Sequence, residues 1–187
     1  MRQTKRVILI TGRPGIGKTS VIIKIVEELR AKGYKVGGMT SREKREDDTR
    51  VGFQIQDVTT GKQGWLAHVR QPDGPRIGKY RINMNDLESI GAKAVENATE
   101  NADVVVVDEI GPMELCSQAF RQAILRVIDG EKPVIATIHF KATDQLVRKI
   151  RTREDTETFE VTLENRKNIH NLIIALITNI LKDRRHS

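Results

Sequence analysis

The sequence is poor in cysteine and in aromatic residues. It has one cysteine, Cys116, and Phe, Trp and Tyr together make up 4% of its 187 residues. A single cysteine excludes an internal disulfide, and without clustered cysteines or histidines the sequence offers no structural zinc site. So few aromatic side chains give poor support for a stacking platform that binds single-stranded nucleic acid. We therefore expect a protein of the reducing cytoplasm, and nucleic acid is not the partner that these residues favour.

Long apolar runs are also missing. Val7–Ile10, which follows the basic Lys5 and Arg6, is far too short for the apolar core of a signal peptide, and the longest apolar stretches are only as long as a strand. No membrane partner is therefore expected. The net charge is +7, from 32 Lys and Arg against 25 Asp and Glu. This excess suits a polyanionic ligand, but it does not distinguish a nucleotide from a nucleic acid.

What the sequence does contain is an alternation of short β-branched runs with amphipathic segments of helical period. A chain of 187 residues with 38% hydrophobic residues fits one domain, which we assign to residues 1–187. The alternation predicts a three-layer α/β fold, in which helices flank a doubly wound and mainly parallel sheet. A hairpin and a loop at about residues 41–82 are expected as an insertion, and the polar stretch Ser41–Arg50 is predicted to be a mobile loop. The predicted strands are 6–11, 34–40, 51–58, 63–69, 103–108, 134–138 and 158–161, and the predicted helices lie within 21–33, 87–98, 119–128, 145–153 and 169–180.

The clearest motif lies between the first predicted strand and the first predicted helix. There the segment Gly12–Thr19 matches G-x-x-x-x-G-K-[ST], the phosphate-binding loop or P-loop. Its glycines let successive backbone N–H groups point at a β-phosphate, and the helix N-terminus adds partial positive charge. Lys18 is predicted to bridge β- and γ-phosphate oxygens, and the Thr19 hydroxyl is predicted to ligate Mg²⁺. The predicted phosphate-binding residues are Gly12, Arg13, Pro14, Gly15, Ile16, Gly17, Lys18, Thr19 and Ser20.

Two carboxylates follow the apolar run Val104–Val107. Open α/β sheets bind ligands at the C-terminal edge of such buried strands. Asp108 is therefore predicted to orient the Mg²⁺ shell, and Glu109 to act as a general base toward an attacking water. The Gly-Pro pair that follows predicts a turn that brings Glu114 back toward the site, and an acid on the surface fits that position equally well.

Phosphoryl transfer also calls for a cation beyond Lys18, because negative charge builds up on the γ-phosphoryl and bridging oxygens. Arg45 and Arg50 lie in the predicted loop Ser41–Arg50, and further basic residues crowd one late segment. Arg45 is the residue that we assign to the site, and a solvated surface position is the alternative for each of these cations. The late basic residues are Arg148, Lys149, Arg151 and Arg153.

Taken together, these motifs resemble the THEP1-type nucleoside-triphosphatase family, which includes the cancer-related nucleoside-triphosphatase. The most selective match is Asp108–Leu115, which reads Asp-Glu-Ile-Gly-Pro-Met-Glu-Leu. The resemblance implies a monomeric P-loop NTPase that converts ATP, GTP, CTP or UTP to the diphosphate and phosphate, with Mg²⁺ as cofactor and broad base tolerance. The sequence departs from the family pattern at Pro112, where Lys is common. Further landmarks that match in order are residues 37–38, 43–46, 50–53, 78–80 and 165–166.

Two other classes of function remain open. A nucleoside or nucleotide kinase shares this fold, and Arg148–Arg153 would then act as a phosphate-clamping lid, although Glu109 directly after Asp108 favours water as the acceptor. The second class is a regulatory ATPase that acts on nucleic acid or on a protein partner. The net charge of +7 is the only feature that favours it. A signalling GTPase is not favoured, because Lys141–Asp144 lacks the leading Asn of the guanine-reading motif.

Overall fold

The apolar β-branched runs predicted as strands lie side by side in one sheet. The computed structural model describes residues 5–185. Its strands are β1 (Val7–Thr11), β2 (Val36–Glu46), β3 (Thr49–Asp57), β4 (Gln63–His68), β5 (Arg76–Ile77), β6 (Tyr80–Ile82), β7 (Val104–Ile110), β8 (Val134–Ile138) and β9 (Thr156–Glu160). Within the described residues they form a nine-stranded sheet in the order β5-β6-β4-β3-β2-β7-β8-β1-β9.

Helices cover both faces of this sheet. They are α1 (Lys18–Ala31), α2 (Met84–Asp86), α3 (Lys93–Asn101), α4 (Gln118–Asp129), α5 (Gln145–Arg151) and α6 (Ile169–Arg185), with a π-helical turn at Leu87–Ala92 and a 3₁₀ turn at Glu114–Cys116. Successive residues of β1 point to opposite faces, so Ile8 and Ile10 pack with α1 and α6, while Val7 and Leu9 pack with α3 and α4. No helix within residues 5–185 has both the length and the apolar character needed to cross a bilayer. The predicted three layers are confirmed.

The sheet has two halves of different pairing. Parallel ladders join β2 to β7, β7 to β8, β8 to β1 and β1 to β9, and we call this the parallel half. Antiparallel ladders join the outer part of β2 to β3, then β3 to β4, β4 to β6 and β6 to β5, and we call this the antiparallel half. The predicted α/β fold is confirmed, with the inserted hairpin of the prediction forming one side of the same sheet.

The prediction of a mobile loop at Ser41–Arg50 is wrong. The first part of β2 is buried and pairs with β7, and the same strand continues outward as an exposed ribbon that pairs with β3. Asp47 and Asp48 make the turn of this ribbon with φ angles of 44° and 60°, the left-handed conformation that a tight two-residue hairpin favours. Because solvent reaches both faces of the ribbon, the strand lacks the apolar alternation by which strands are recognised in a sequence.

Candidate active site

The P-loop connects β1 to α1 as predicted. Gly15 and Gly17 have φ angles of 75° and 110°, which a side chain would strain, and Gly17 is the residue directly before α1. Lys18 and Thr19 are therefore the first two residues of the helix, where unpaired backbone N–H groups and the helix dipole favour an anion. The Lys18 ammonium donates to the Gly12 carbonyl oxygen at 3.2 Å, which holds the side chain along the loop.

Asp108 lies at the C-terminal end of β7, across β8 from the P-loop. The β7 to β8 ladder is irregular between Val107 and Ile110, and the Asp108–Glu109 peptide bond is cis. Asp108 is 2% exposed, and its Oδ1 accepts a hydrogen bond from the Thr137 hydroxyl at 2.5 Å. Its Oδ2 is buried and has no hydrogen-bond partner among the described residues. A buried carboxylate oxygen without a partner is costly unless a cation or a water satisfies it.

Burial dominates the electrostatics of this carboxylate and of its neighbour. It raises the pKa of Asp108 above the ordinary value, and the Thr137 and Thr19 hydroxyls and the Lys18 charge oppose that shift. Burial also raises the pKa of Glu109, and the negative charge of Asp108 adds to the rise, while Lys18 lowers it. A carboxylate whose pKa is raised toward neutrality is a better proton acceptor than an exposed one. Glu109 therefore has the electrostatic setting of a general base.

Glu114 is buried in this site. The 3₁₀ turn after β7 brings it back toward Glu109, as one of the two sequence-based alternatives requires. It is 4% exposed, and its pKa is raised to about 8, first by burial and then by the charges of Glu109 and Asp108. Gly111 leaves room for both glutamates, because a Cβ on this residue would lie 2.6 Å from Glu109 Oε1 and 3.0 Å from Glu114 Oε2. With this pKa, Glu114 is largely protonated at neutral pH.

One cavity of about 520 Å³ brings the predicted residues of the two motifs together. Its lining residues come from the P-loop, from the end of β7 and the following turn, and from the antiparallel half of the sheet. We call it the catalytic cavity. Its lining includes Pro14, Gly15, Gly17, Lys18, Thr19, Ser41, Glu43, Arg50, Phe53, Asp108, Glu109, Pro112, Met113, Glu114 and His139.

The two arginines of the ribbon differ in where they lie. Arg50 lines the catalytic cavity and is held by Glu43 Oε2 at 2.9 Å and by the Tyr80 hydroxyl at 2.8 Å, with its guanidinium 5.5 Å from the centre of the Phe53 ring. Arg45 is not among the lining residues; it pairs with Glu43 Oε1 at 2.6 Å and donates to a backbone carbonyl in the turn. The geometry therefore favours Arg50 over Arg45 as the additional cation of the site.

The late basic segment lies away from the catalytic cavity. Arg153 pairs with Asp155 at 2.9 Å and with Asp129 at 2.8 Å, and none of these three residues lines the cavity. Neither Arg148 nor Arg151 is among the described residues that line the cavity. This segment is not placed as a phosphate-clamping lid would be.

The oxygen atoms at the bottom of the cavity fit a hard divalent cation. Mg²⁺ prefers oxygen ligands, and in nucleotide sites it is held by one or two protein oxygens together with phosphate oxygens and waters. The partnerless Asp108 Oδ2 and the neighbouring Thr19 hydroxyl offer such oxygens. The residues present fit the predicted cofactor, and Thr19 and Asp108 would be its protein contacts.

Three residues of the site were not assigned from the sequence. Thr137 holds Asp108, Glu43 holds Arg50, and His139 lines the cavity and lowers the pKa of Glu109 by its charge. Thr137 had a signal, because it is the one polar residue of the strand Val-Ile-Ala-Thr-Ile next to β7. Glu43 lies in the landmark at residues 43–46, but that landmark did not indicate its role, since its partner Arg50 lies on another strand of the ribbon.

Known proteins share this fold and sequence. The family described as NTPase matches residues 7–174. A nucleoside-triphosphatase THEP1 from Thermofilum pendens is 48% identical over 159 residues, which cover 84% of this chain and 87% of that protein. The crystal structure of THEP1 from Aquifex aeolicus superposes with a TM-score of 0.82 at 33% identity over 91% of this chain and 98% of that one. The solution structure of a human cancer-related nucleoside triphosphatase has a TM-score of 0.79 at 32% identity over 93% and 98%. The chain therefore belongs to the THEP1-type nucleoside-triphosphatase family.

Proposed function

We propose that this protein is a Mg²⁺-dependent nucleoside triphosphatase that transfers the γ-phosphoryl group of ATP, GTP, CTP and UTP to water. One observation carries the proposal: the P-loop lysine, a buried aspartate and a glutamate of raised pKa line the same cavity. The names of the relatives, which describe nucleoside triphosphatases, support the same reading. All of these groups come from a single chain, and we propose that the protein acts as a monomer.

Binding begins at the P-loop. The backbone N–H groups of the loop and of the first turn of α1 bind the β-phosphate, and the Lys18 ammonium donates to β- and γ-phosphate oxygens. Thr19 and Asp108 hold the cofactor, which when bound neutralises charge that develops on the phosphate oxygens. Thr137 keeps the Asp108 carboxylate in place through its hydrogen bond to Oδ1.

The chemical step is an in-line displacement by water. The water oxygen forms a bond to the γ-phosphorus, Glu109 accepts a proton from that water, and the bond from the γ-phosphorus to the β–γ bridging oxygen breaks. The products are the nucleoside diphosphate and inorganic phosphate. Glu114 beneath Glu109 is largely protonated, so it adds little negative charge that would repel the triphosphate.

Arg50 is the second cation that we propose for the transition state. Its guanidinium is planar and always charged, and it can donate to more than one phosphoryl oxygen at once. Glu43, Tyr80 and Phe53 hold it in the lining of the cavity that also contains the P-loop lysine. Arg45, the assignment made from the sequence, stays a candidate that the comparison of single variants decides.

A phosphate-release assay tests the proposal. ATP, GTP, CTP and UTP are incubated in turn with the protein and Mg²⁺, with EDTA as the metal-free arm, and free phosphate is measured. We expect release from all four nucleotides at comparable rates, and loss of release with EDTA. Nucleosides and nucleoside monophosphates belong in a parallel arm, because a cavity of about 340 Å³ that shares Pro112 and His139 with the catalytic cavity has room for an acceptor. Phosphate found on an added nucleoside, rather than free, would overturn the hydrolase proposal in favour of a kinase.

A further inference from the structure

A second cavity, of about 340 Å³, lies beside the catalytic cavity at the same edge of the sheet. One side of it is the turn that follows β7, and the other is the segment His139–Asp144 that follows β8. Because β7 and β8 are parallel neighbours, both segments leave the sheet at its C-terminal edge. We call this space the side cavity.

The side cavity adjoins the catalytic cavity on the side of the attacking water. Pro112 and His139 line both cavities, whereas none of the described residues 12–19 of the P-loop lines the side cavity. Glu109, which accepts the proton of the water, is close enough to His139 for the histidine charge to lower its pKa. In an in-line displacement the phosphoryl group moves away from the diphosphate and toward the water. The freed phosphate therefore moves toward the side cavity, and the diphosphate stays at the P-loop.

The charge of the side cavity suits an anion. Two cations and one acid line it, namely Arg121, Lys141 and Asp144, so two positive charges oppose one negative charge when His139 is neutral. In the catalytic cavity the freed phosphate lies against the diphosphate, and the two anions repel each other. An excess of positive charge in the adjoining space attracts the phosphate at the moment when it is released.

Arg121 is fixed at the side cavity and keeps donor groups for a ligand. Its Nη2 donates to Asp144 Oδ2 at 2.7 Å, its Nη1 to Asp144 Oδ1 at 3.3 Å, and its Nε to the Leu115 carbonyl oxygen at 2.7 Å. A guanidinium has five N–H groups, so two remain beyond the three bonds made within residues 5–185. A planar guanidinium that is held in place in this way suits the recognition of a phosphate.

His139 and Lys141 add donors from the turn after β8. The Lys141 backbone N–H donates to His139 Nδ1 at 3.2 Å, and the Ala142 N–H donates to the His139 carbonyl oxygen at 3.0 Å. Since Nδ1 accepts a hydrogen bond, the neutral imidazole carries its hydrogen on Nε2 and offers it as a donor. Lys141 is exposed, and its flexible stem lets the ammonium turn toward an anion in the cavity.

We propose that the side cavity binds the inorganic phosphate product on its way from the catalytic cavity to solvent, with Arg121, His139 and Lys141 as hydrogen-bond donors. This inference rests on the proposed function and adds the route by which one product leaves. The ligand recognised is a small oxyanion without a nucleoside. Because the P-loop takes no part in this site, phosphate in the side cavity leaves the P-loop free to bind ATP.

Inhibition of ATP hydrolysis by added phosphate tests the proposal. Initial rates of ADP formation are measured by chromatography at several concentrations of ATP and of inorganic phosphate. We expect noncompetitive inhibition, in which phosphate lowers kcat and changes the KM for ATP little. Lys141→Ala should raise the phosphate inhibition constant about fivefold, and Lys141→Glu about 20-fold. The inhibition constant for ADP should stay within about twofold in both variants, since ADP binds at the P-loop.

Lys149→Ala is the matched control, because it removes an exposed lysine of α5 that is not among the described residues lining the side cavity. It should leave the inhibition constants for phosphate and ADP unchanged. Competitive inhibition by phosphate in the unmodified protein would overturn the proposal, since it would place the ion at the P-loop. An unchanged phosphate inhibition constant in Lys141→Glu would overturn it too.

Calorimetry distinguishes failure of this inference from failure of the proposed function. Inorganic phosphate is titrated into the unmodified protein and into Lys141→Glu, each saturated with Mg²⁺ and ADP, so that no turnover is needed. We expect the variant to bind phosphate about 20-fold more weakly. Equal binding by the two proteins would overturn the side cavity as a phosphate site. An unmodified protein that binds phosphate in this way, but releases none from any nucleotide, would overturn the proposed function instead.

Discussion

The two halves of the sheet differ in burial and in what they contribute to the site. In the parallel half, β1, β7 and β8 are almost wholly buried, and their C-terminal ends hold the P-loop, Asp108 and Glu109. In the antiparallel half, the ribbon of β2 and β3 projects into solvent and is held by ion pairs such as Arg50 to Glu43 at 2.9 Å and Arg70 to Glu46 at 2.8 Å. The buried half therefore fixes the positions of the P-loop and the two carboxylates, whereas the exposed half contributes Arg50 to the lining of the cavity.

Removal of Lys18 is the strongest way to break the buried half of the site. Lys18→Ala should lower kcat/KM by about 10³-fold, because no other side chain of the P-loop donates to both β- and γ-phosphate oxygens. Nucleotide binding measured by calorimetry should be lost at the concentrations that saturate the unmodified protein. Lys24→Ala, an exposed lysine two turns further along α1, is the matched control and should bind normally. Tight binding by Lys18→Ala would contradict the assigned role of the P-loop.

Glu109→Gln separates chemistry from binding. We expect kcat to fall by about 10² to 10⁴, because the amide cannot accept the proton of the attacking water. The dissociation constant for ATP should change by less than about threefold, since Gln keeps the shape of the side chain. Single-turnover kinetics and calorimetry on the same preparation measure the two quantities. Glu27→Gln on the exposed face of α1 controls for the loss of one carboxylate, and a normal kcat in Glu109→Gln would remove Glu109 as the general base.

The two arginine variants test the exposed half. Arg50→Ala should lower kcat by about 10²-fold, because the cation that it removes lies in the catalytic cavity. Arg45→Ala should lower kcat by less than about threefold, since Arg45 shares the partner Glu43 but does not line the cavity. Steady-state rates and thermal unfolding of both variants give the comparison. If Arg45→Ala is the more damaging change, the ribbon reorganises around bound nucleotide and the sequence-based assignment of Arg45 is the better one.

Glu114→Gln is expected to change the pH dependence of stability. The pKa of Glu114 is raised from 4.5 to about 8 in the folded protein, so folding favours the protonated form. The stability that this group contributes is complete below its unfolded pKa and is lost as the pH rises through about 8. Glutamine stays neutral at every pH, so in the variant residue 114 no longer makes the stability fall as the pH rises.

The measurement is thermal unfolding at pH 6 and pH 9. Between pH 6 and pH 9, the Tm of the unmodified protein should fall by roughly 5 °C more than the Tm of the variant. Asp108 and Glu109 also have raised pKa values, and their charges interact with Glu114, so the difference between the two proteins reports Glu114 together with this coupling. Parallel pH profiles would mean that Glu114 is already ionised in the folded protein.

Local sequence patterns were sufficient to predict the strands and motifs of the parallel half. The P-loop, the strand Val134–Ile138 and the carboxylates after the valine run were all predicted, because buried parallel strands are continuously apolar and phosphate loops need glycine at fixed spacing. Even there, β7 extends past the predicted end to Ile110, since an acidic pair within a strand does not look like strand sequence. The ribbon was not predicted from the sequence, because cross-strand ion pairs replace apolar alternation in it and the Asp47-Asp48 turn contains no glycine.

The sequence by itself determined the class of fold and the family, and it predicted the groups that we propose hold phosphate, since these predictions depend on residues close together in the chain. Tertiary structure alone decided which arginine lies in the cavity and that Glu114 is buried beside Glu109. Each of these depends on which strand lies next to which. Strand order is set by the packing of both faces of the sheet, and no short segment of the sequence records it.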